Sequence, residues 1–297
     1  MVWRKSRLLP KLNILLSYYY IRDGHLNLMR DTTDFVDYAI DSGAYSAFSS
    51  GKAISMDEYQ TFLTKLGFNP FGYFALDVIG DEKATMVNYR KMRADGFKPI
   101  PIFTRGSDPS LVDELFADTD FIGYGGISAR KGNSRTITYG YVKKLMSLAK
   151  GRKVHWLGFA ILNYIKYFKP FSFDSTSWSA GLQYGAIPMW FNGAEQRITR
   201  LMFMARPSDH IRQMLEHYEE DIGNARFNEE WRCKPKTFMV RVSAKAVVKK
   251  ALDIQRETGT RFFISVSTVG QMEDTIAAYK FWAKKLGKGI HEKSLVA

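Results

Sequence analysis

Residues 71–103 read FGYFALDVIGDEKATMVNYRKMRADGFKPIPIF and contain one complete strand-helix-strand unit. The apolar runs 71–76 and 99–103 have the composition of buried parallel strands. Asp81 can cap a helix between them, and Gly96 can end it. This order indicates two parallel strands joined by a right-handed crossover.

The same unit repeats on both sides of this stretch. Further apolar runs rich in Ile, Val, Phe or Tyr lie at 12–20, 35–40, 120–124, 153–157 and 170–173. Helix starts are signalled by the capping box Ser55-Met56-Asp57-Glu58, by Asp108 before Pro109, by Thr138 and by the capping box Thr268-Val269-Gly270-Gln271. Repeated units of this kind predict an α/β fold, a TIM-type (β/α)8 barrel, with a doubly wound parallel sheet as the alternative.

The end of the predicted barrel is ambiguous. Both 186–191 and 261–267 read as strands, and one of them is expected to be the eighth barrel strand. Basic residues are frequent in the segment 192–236, which we expect to be an insertion over the barrel mouth after strand seven or eight. Further helices are expected near 208–221, 244–257 and 268–286. The whole chain, 1–297, is then one domain.

Composition and charge restrict the function classes. Hydrophobic residues make up 45% of the 297 residues and charged residues 25%, which is typical of an ordered globular protein. The formal net charge of +13 favours a polyanionic partner, although many basic proteins bind no nucleic acid.

The chain has a single cysteine, Cys233, which excludes internal disulfides and a multi-cysteine zinc site. A reducing compartment, the cytoplasm, is therefore expected. The basic N-terminus is followed by an apolar stretch that is too short for a signal peptide, and no stretch is long enough to span a membrane.

Polar residues follow the predicted strands at their carboxyl ends, where barrel enzymes carry their chemistry. Strand two ends in Asp41-Ser42-Gly43-Ala44-Tyr45, strand three in Asp77, strand five in Gly125-Gly126, strand six in Gly158 and strand seven in Asp174. Two facing carboxylates suit displacement at an anomeric carbon, where one attacks and the other transfers protons. Glycines let a flat base approach backbone N–H groups. Any one of these aspartates alone would more often be a helix cap or turn residue.

These motifs resemble the tRNA-guanine transglycosylase superfamily, and more closely its phage and bacterial members that insert 7-deazaguanine (preQ0-like) bases into DNA. The resemblance covers about residues 35–191. It implies that Asp174, in Phe173-Asp174-Ser175, is the nucleophile and that Asp41 is the general acid and base. It also implies a base pocket formed by Ser42, Gly43, Tyr45, Asp77, Gly125, Gly126 and Gly158, in which Tyr45 stacks on the base and Asp77 reads its polar edge.

Two departures from the family pattern favour DNA over tRNA. The tRNA enzymes carry a structural zinc site of three cysteines and a histidine, which a chain with one cysteine cannot build. Their glutamine after strand four has no counterpart in Phe103-Thr104-Arg105-Gly106. No structural zinc, other metal or nucleotide triphosphate is expected, and the 7-deazaguanine base is the co-substrate.

The expected function is therefore base exchange on DNA, a pentosyltransferase reaction. Candidate phosphate contacts are Arg130, Lys131, Arg135, Arg197, Arg200 and Arg206, each of which could equally be a solvated surface charge. Three alternatives stay open: transglycosylation on tRNA, a non-catalytic nucleic-acid-binding barrel, and an unrelated barrel hydrolase acting on a small sugar or base. Oligomeric state and partner proteins are not indicated.

Overall fold

The computed structural model describes residues 6–127, 139–180, 185–199, 202, 208–220 and 235–291. Its strands are β1 (Leu12–Ser17), β2 (Val36–Asp41), β3 (Gly72–Tyr73), β4 (Ile102–Thr104), β5 (Phe121–Gly125), β6 (Lys153–Trp156), β7 (Ser172–Ser175), β8 (Ala186–Phe191), β9 (Ala194–Thr199) and β10 (Arg261–Val266). Its α-helices are α1 (Asp23–Thr32), α2 (Ala44–Ser49), α3 (Met56–Thr64), α4 (Glu82–Ala94), α5 (Leu111–Asp118), α6 (Tyr139–Ala149), α7 (Leu162–Phe168), α8 (Ser177–Ala180), α9 (Asp209–His217), α10 (Pro235–Thr258) and α11 (Val269–Lys285).

Eight of the strands form one curled parallel sheet in the order β3-β2-β1-β10-β7-β6-β5-β4. Helices follow most of its strands, as expected of an α/β fold whose parallel neighbours are joined by crossovers. This arrangement confirms the α/β class and is consistent with a TIM-like barrel. All carboxyl ends of the strands consequently lie at one edge of the sheet.

The two faces of the sheet are both apolar, which explains the nearly continuous hydrophobic runs in the sequence. One cluster of buried residues joins the helices to the outer face and includes Ile14, Phe173 and Phe262. A second cluster contains no helical residue and covers the inner face: Leu15, Ala39, Phe74, Ile100, Ile102 and Phe263. Adjacent residues in a strand point to opposite faces, so Phe262 and Phe263 separate into the two clusters.

Backbone hydrogen bonds connect the end of β3 and the residues that follow it to the segment just before β4. Phe74 and Ile100 form a parallel bridge. The Ala75 N–H donates to the Ile100 carbonyl at 2.9 Å, and the Ile100 N–H donates to the Tyr73 carbonyl at 2.7 Å. We call these bonds the β3–β4 seam.

The ambiguity about strand eight is resolved by pairing. The run at 261–266, β10, lies between β1 and β7 in the sheet. The run at 186–191, β8, pairs instead with β9 in a separate antiparallel hairpin. The insertion therefore lies between the seventh and eighth sheet strands, and its structure starts before residue 192.

The described part of this insertion packs on α10. Trp190 is 2% exposed, and its Nε1–H donates to Asp253 Oδ2 on α10 at 2.9 Å. Lys250 on the same helix donates to Glu195 Oε2 at 2.5 Å. Most of 200–234 lies outside the described residues, so coverage of the barrel mouth stays a prediction.

Local helix signals were mostly correct. Ser55, Asp81 and Thr268 each accept a backbone N–H at a helix start, as predicted. The predicted cap at Asp108 is wrong: α5 begins at Leu111, because Asp108 Oδ1 accepts the N–H and the hydroxyl of Ser110 and closes a turn first. Thr138 lies outside the described residues. In the described part of the chain, no helix is long and apolar enough to cross a bilayer.

Candidate active site

The three strand-end aspartates lie at the carboxyl edge of the sheet. Asp41 is the last residue of β2 and pairs in register with Ser17 of β1. Asp174 lies within β7 opposite Phe263 of β10. Asp77 follows β3, the neighbour of β2. Because β2 and β7 are separated by β1 and β10, the curl of the sheet is needed to bring their carboxylates near each other.

Asp41 is held by the turn that follows it. The Gly43 N–H donates to Asp41 Oδ2 at 2.9 Å, and Gly43 has a left-handed φ of +81°. A Cβ on Gly43 would lie 2.6 Å from Ser17 Oγ and 2.7 Å from Tyr19 Cβ. Only glycine fits this conformation and this space, so the glycine orients the carboxylate.

Ser42 connects Asp41 to Asp77. Ser42 is fully buried, and its hydroxyl donates to Asp77 Oδ1 at 2.8 Å. The Ala44 N–H donates in turn to Ser42 Oγ at 3.3 Å. Burial raises the pKa of Asp77, and the hydrogen bond from Ser42 opposes that increase. Ser42 therefore fixes Asp77 rather than presenting its own hydroxyl to solvent.

Asp41 is the carboxyl group whose protonation is most clearly perturbed. Burial, followed by the negative charges of Asp77 and Asp174, raises the pKa of Asp41 to about 7. Hydrogen bonds from the Gly43 and Ser42 N–H groups oppose the increase. A carboxyl group with this pKa can give and take a proton near neutral pH, as a general acid and base must.

Asp174 is surrounded by hydrogen-bond donors. The Gly158 N–H donates to its Oδ1 at 2.7 Å, and the Ser265 hydroxyl donates to its Oδ2 at 3.0 Å. His155 Nε2 lies 3.2 Å from Oδ1. Asp174 itself is 8% exposed, so a small part of this residue stays accessible to solvent although its carboxylate is fixed in position.

A buried serine continues this chain of hydrogen bonds. His155 Nδ1 lies 2.8 Å from Ser172 Oγ, which gives the order Ser172, His155, Asp174. The three residue types match a hydrolytic triad, but Ser172 is 0% exposed and His155 is 1% exposed. A serine without access to substrate cannot be the nucleophile. Among these three hydrogen-bonded residues, Asp174 is the most exposed.

The predicted glycines after β5 and β6 lie at the carboxyl ends of their strands. Gly125 ends β5, and Gly126 follows it. Gly158 follows β6 with a left-handed φ of +63°, and its N–H is bound to Asp174. The structure thus gives Gly158 a contact with the carboxylate, and its predicted role as a wall of a base pocket stays a prediction.

Tyr45 lies on α2, immediately after the Asp41 turn. Its side chain is 70% exposed, and Phe48 on the next turn of the same helix is 64% exposed. Ala44 and Ala47 form the buried side of this helix. An exposed aromatic ring four residues after Asp41 is available for stacking on a base.

Of the six predicted phosphate contacts, only Arg197 lies among the described residues. Arg197 lies on β9 and is exposed on the outer hairpin. Arg130, Lys131, Arg135, Arg200 and Arg206 lie outside the described residues. Among the described residues, no cluster of three His, Cys, Asp or Glu side chains is arranged to hold a metal ion.

Sequence reasoning missed three contributors: His155, Ser172 and Ser265. A usable signal was the period-two alternation of the strands, because residues two apart share a face. Ser172 precedes Asp174 by two positions, and register places His155 beside Ser172. The sequence could not indicate Ser265, because it did not show whether the strand that contains Ser265 pairs with β7.

Comparisons with known proteins do not assign this chain to a family. No family model matches the chain, and no curated protein matches it. One similar solved structure is that of a DUF72 family protein from Enterococcus faecalis V583. It is 12% identical with a TM-score of 0.33, over 95% of this chain and 88% of that chain. A similarity of this size indicates nothing about activity.

Proposed function

We propose that this chain is a DNA-guanine transglycosylase that replaces guanine in DNA with a 7-deazaguanine base through a covalent aspartyl-deoxyribose intermediate. The observation that carries the proposal is the pair Asp41 and Asp174. Both lie at the carboxyl edge of the sheet, and the charge of Asp174 is close enough to raise the pKa of Asp41. One carboxyl group is held by donors, while the other is poised to exchange a proton.

The proposed scaffold is a closed (β/α)8 barrel. The β3–β4 seam supports closure because its hydrogen bonds link the two ends of the strand order. A closed barrel gives one pocket at its carboxyl end. A free nucleobase and a flipped nucleotide would both enter there.

The first displacement uses both carboxyl groups. Asp174 attacks C1′ of deoxyguanosine, and the C1′–N9 bond breaks with its electron pair passing to guanine. Protonated Asp41 donates its proton to the departing base, so that neutral guanine leaves. Its pKa of about 7 makes the protonated form available at neutral pH.

The second displacement reverses these roles. N9 of the incoming 7-deazaguanine attacks C1′, the bond to Asp174 breaks, and Asp41 accepts the N9 proton. Asp41 is thereby reset, and two inversions at C1′ give net retention. One N-glycosidic bond replaces another, so no nucleotide triphosphate is consumed.

Base recognition is assigned to the residues around the pair. Asp77, fixed by Ser42, accepts hydrogen bonds from the polar edge of the base. Tyr45 stacks on a base, and the backbone at Gly125 and Gly126 lets a planar ligand approach closely.

A nucleic acid is the proposed polymer because the net charge is +13 and the carboxyl pair is too enclosed for a stacked nucleotide. DNA is preferred to tRNA because a chain with one cysteine cannot build the structural zinc site of the tRNA enzymes. Asp174 is 8% exposed, so the target nucleotide must leave the helix to present C1′ to it. A flipped nucleotide can reach the pocket.

The decisive experiment incubates the protein with duplex DNA that carries radiolabelled guanine, together with an unlabelled 7-deazaguanine base. We expect the wild type to release label and Asp174→Asn to release at least about 10³-fold less, because a carboxamide is a poor nucleophile. Asp253→Asn is the matched control, since Asp253 is a buried, ion-paired carboxylate on α10 away from the pair.

Each outcome has a distinct meaning. Equal release by wild type and Asp174→Asn would show that another residue is the nucleophile. Release from tRNA but not from DNA would move the protein to the tRNA-acting branch. No release from either polymer would refute base exchange.

A further inference from the structure

We propose that His155 is a positioning residue that donates an Nε2–H hydrogen bond to Asp174 and thereby selects Oδ2 of Asp174 as the attacking atom. This inference rests on the proposed function for its catalytic consequence. The hydrogen bond itself can be tested without any substrate.

The direction of the bond follows from the chemistry of the two groups. An ionised carboxylate has only acceptor sites, so the imidazole must supply the proton between Nε2 and Asp174 Oδ1. Ser172 Oγ then serves the other ring nitrogen, Nδ1, at 2.8 Å. A hydroxyl can donate or accept, so it suits Nδ1 in either protonation state of the ring.

The orientation of the ring is fixed by its surroundings. His155 is 1% exposed, and its centroid lies 5.0 Å from that of Phe74 and 5.9 Å from that of Phe263. Both phenylalanines belong to the inner-face cluster. The imidazole therefore has two aromatic neighbours and hydrogen-bond partners at both nitrogens, and a rotated ring would lose both bonds.

The two oxygens of Asp174 are consequently different. Oδ1 accepts from both the Gly158 N–H and His155, whereas Oδ2 accepts only from the Ser265 hydroxyl among the described residues. Oδ1 is the anchored atom. Oδ2 keeps more of its lone-pair capacity, and a hydroxyl partner can rotate as the oxygen forms a bond to C1′.

The same bond assists the second displacement. When Oδ2 is esterified, the His155 Nε2–H remains on Oδ1 and stabilises the negative charge that returns to the carboxylate as the ester breaks. Removal of His155 should therefore reduce kcat more than it changes KM, because the lost hydrogen bond positions the nucleophile and does not contact the substrate.

The first arm of the test measures the ring nitrogens of ¹⁵N-histidine-labelled protein by NMR, with His155→Gln used to assign the signal. We expect a proton on Nε2, and we expect Asp174→Asn to shift that signal. A ring protonated at Nδ1 alone would overturn the proposal, whatever the protein does to nucleic acid.

The second arm compares exchange kinetics of variants. We expect His155→Leu to lower kcat about 100-fold with KM changed less than about threefold, since small misplacement of a reacting group costs this much. His155→Gln, whose amide N–H can still reach Asp174, should recover at least about tenfold over His155→Leu. Ser172→Ala should lower kcat less than His155→Leu does.

His25→Gln and His25→Leu are the matched controls. His25 on α1 is 3% exposed and accepts the Arg22 N–H, so it tests the loss of a buried imidazole away from Asp174. Wild-type kcat in His155→Leu, or equal kcat in His155→Leu and His155→Gln, would overturn the proposal. Absence of exchange by the wild type on every nucleic acid would refute the proposed function, and the NMR arm would still decide the hydrogen bond.

Discussion

The carboxyl groups Asp41 and Asp174 differ in their hydrogen-bond partners. Asp174 accepts from an N–H, a hydroxyl and an imidazole, whereas Asp41 accepts from the turn that follows it. Burial, together with the charges of Asp77 and Asp174, raises the pKa of Asp41. Two carboxyl groups whose surroundings differ can serve different roles, here the proposed nucleophile Asp174 and the proposed general acid and base Asp41.

The raised pKa of Asp41 predicts a pH-dependent cost to folding. A carboxyl group with a folded pKa near 7 and an unfolded value near 3.8 stabilises the fold fully below pH 3.8, and this contribution is lost as the pH rises to 7. Asp41→Asn should therefore increase the free energy of unfolding at pH 8 by about 3 kcal/mol relative to its effect at pH 4.5. Urea unfolding of the wild type and Asp41→Asn at both pH values measures this difference in the free energy of unfolding.

The control for this prediction is Asp108→Asn. Hydrogen bonds from the Ser110 side chain and N–H lower the pKa of Asp108. Its contribution to the free energy of unfolding therefore changes only at pH values below the ordinary carboxyl pKa. Its effect on unfolding should be the same at pH 4.5 and pH 8. An Asp41→Asn effect that does not depend on pH would contradict the burial of this carboxyl group.

Substitution of Gly43 by alanine should have a steric cost in addition to the cost of its left-handed backbone conformation. Gly43→Ala places a methyl group 2.6 Å from Ser17 Oγ and 2.9 Å from the Tyr19 backbone nitrogen. Gly51 also has a positive φ, +67°, but nothing lies within 4 Å of its Cβ position. We expect Gly51→Ala to cost about 1 kcal/mol and Gly43→Ala at least about 2 kcal/mol more, measured by urea unfolding. Equal costs would mean that the Asp41 turn is loosely packed.

At the scale of elements, the segment between β7 and β10 forms a hairpin that packs outside the sheet. Ile198 of β9 is 1% exposed, whereas the adjacent Arg197 is exposed. The hairpin is tied to α10 by Trp190 and Glu195. It therefore presents Arg197 on a rigid support.

Arg197 predicts a change in the salt dependence of DNA binding. If Arg197 contacts a phosphate, Arg197→Glu should weaken binding and reduce the slope of log K against log salt by about one. Lys98→Glu is the matched control, since Lys98 is exposed just before β4, at the opposite edge of the sheet from Asp41. Fluorescence anisotropy at several salt concentrations measures both. An unchanged slope for Arg197→Glu would remove Arg197 from the interface.

At the scale of the whole molecule, the sheet joins strands that are far apart in sequence. β1 lies between β2 and β10, and the seam joins the segments around Phe74 and Ile100. If the barrel is closed at this seam, as we propose, it has none of the free strand edges that an open sheet would expose.

Hydrogen exchange of two amides tests closure directly. The Ala75 and Ile100 N–H groups carry the seam bonds, so in a closed barrel they should exchange as slowly as the Gly123 N–H, which bonds Pro101 inside the sheet. The Gly51 N–H, in an exposed turn, should exchange much faster. Exchange of Ala75 and Ile100 at the rate of Gly51 would show that the sheet is open at this point. NMR exchange rates at residue resolution provide the measurement.

The sequence by itself determined most of the elements and which polar residues lie at the strand ends. Apolar runs bounded by caps and glycines specify strands and helices locally, so most strands and the positions of Asp41, Asp77 and Asp174 followed without the fold. The tertiary structure alone decided which of two similar apolar runs joins the sheet, because pairing depends on neighbours rather than on composition. It also decided the partners of Asp174, since His155 and Ser265 lie 19 and 91 positions away along the chain. The raised pKa of Asp41 has the same origin: burial and neighbouring charges exist only once the strands are side by side.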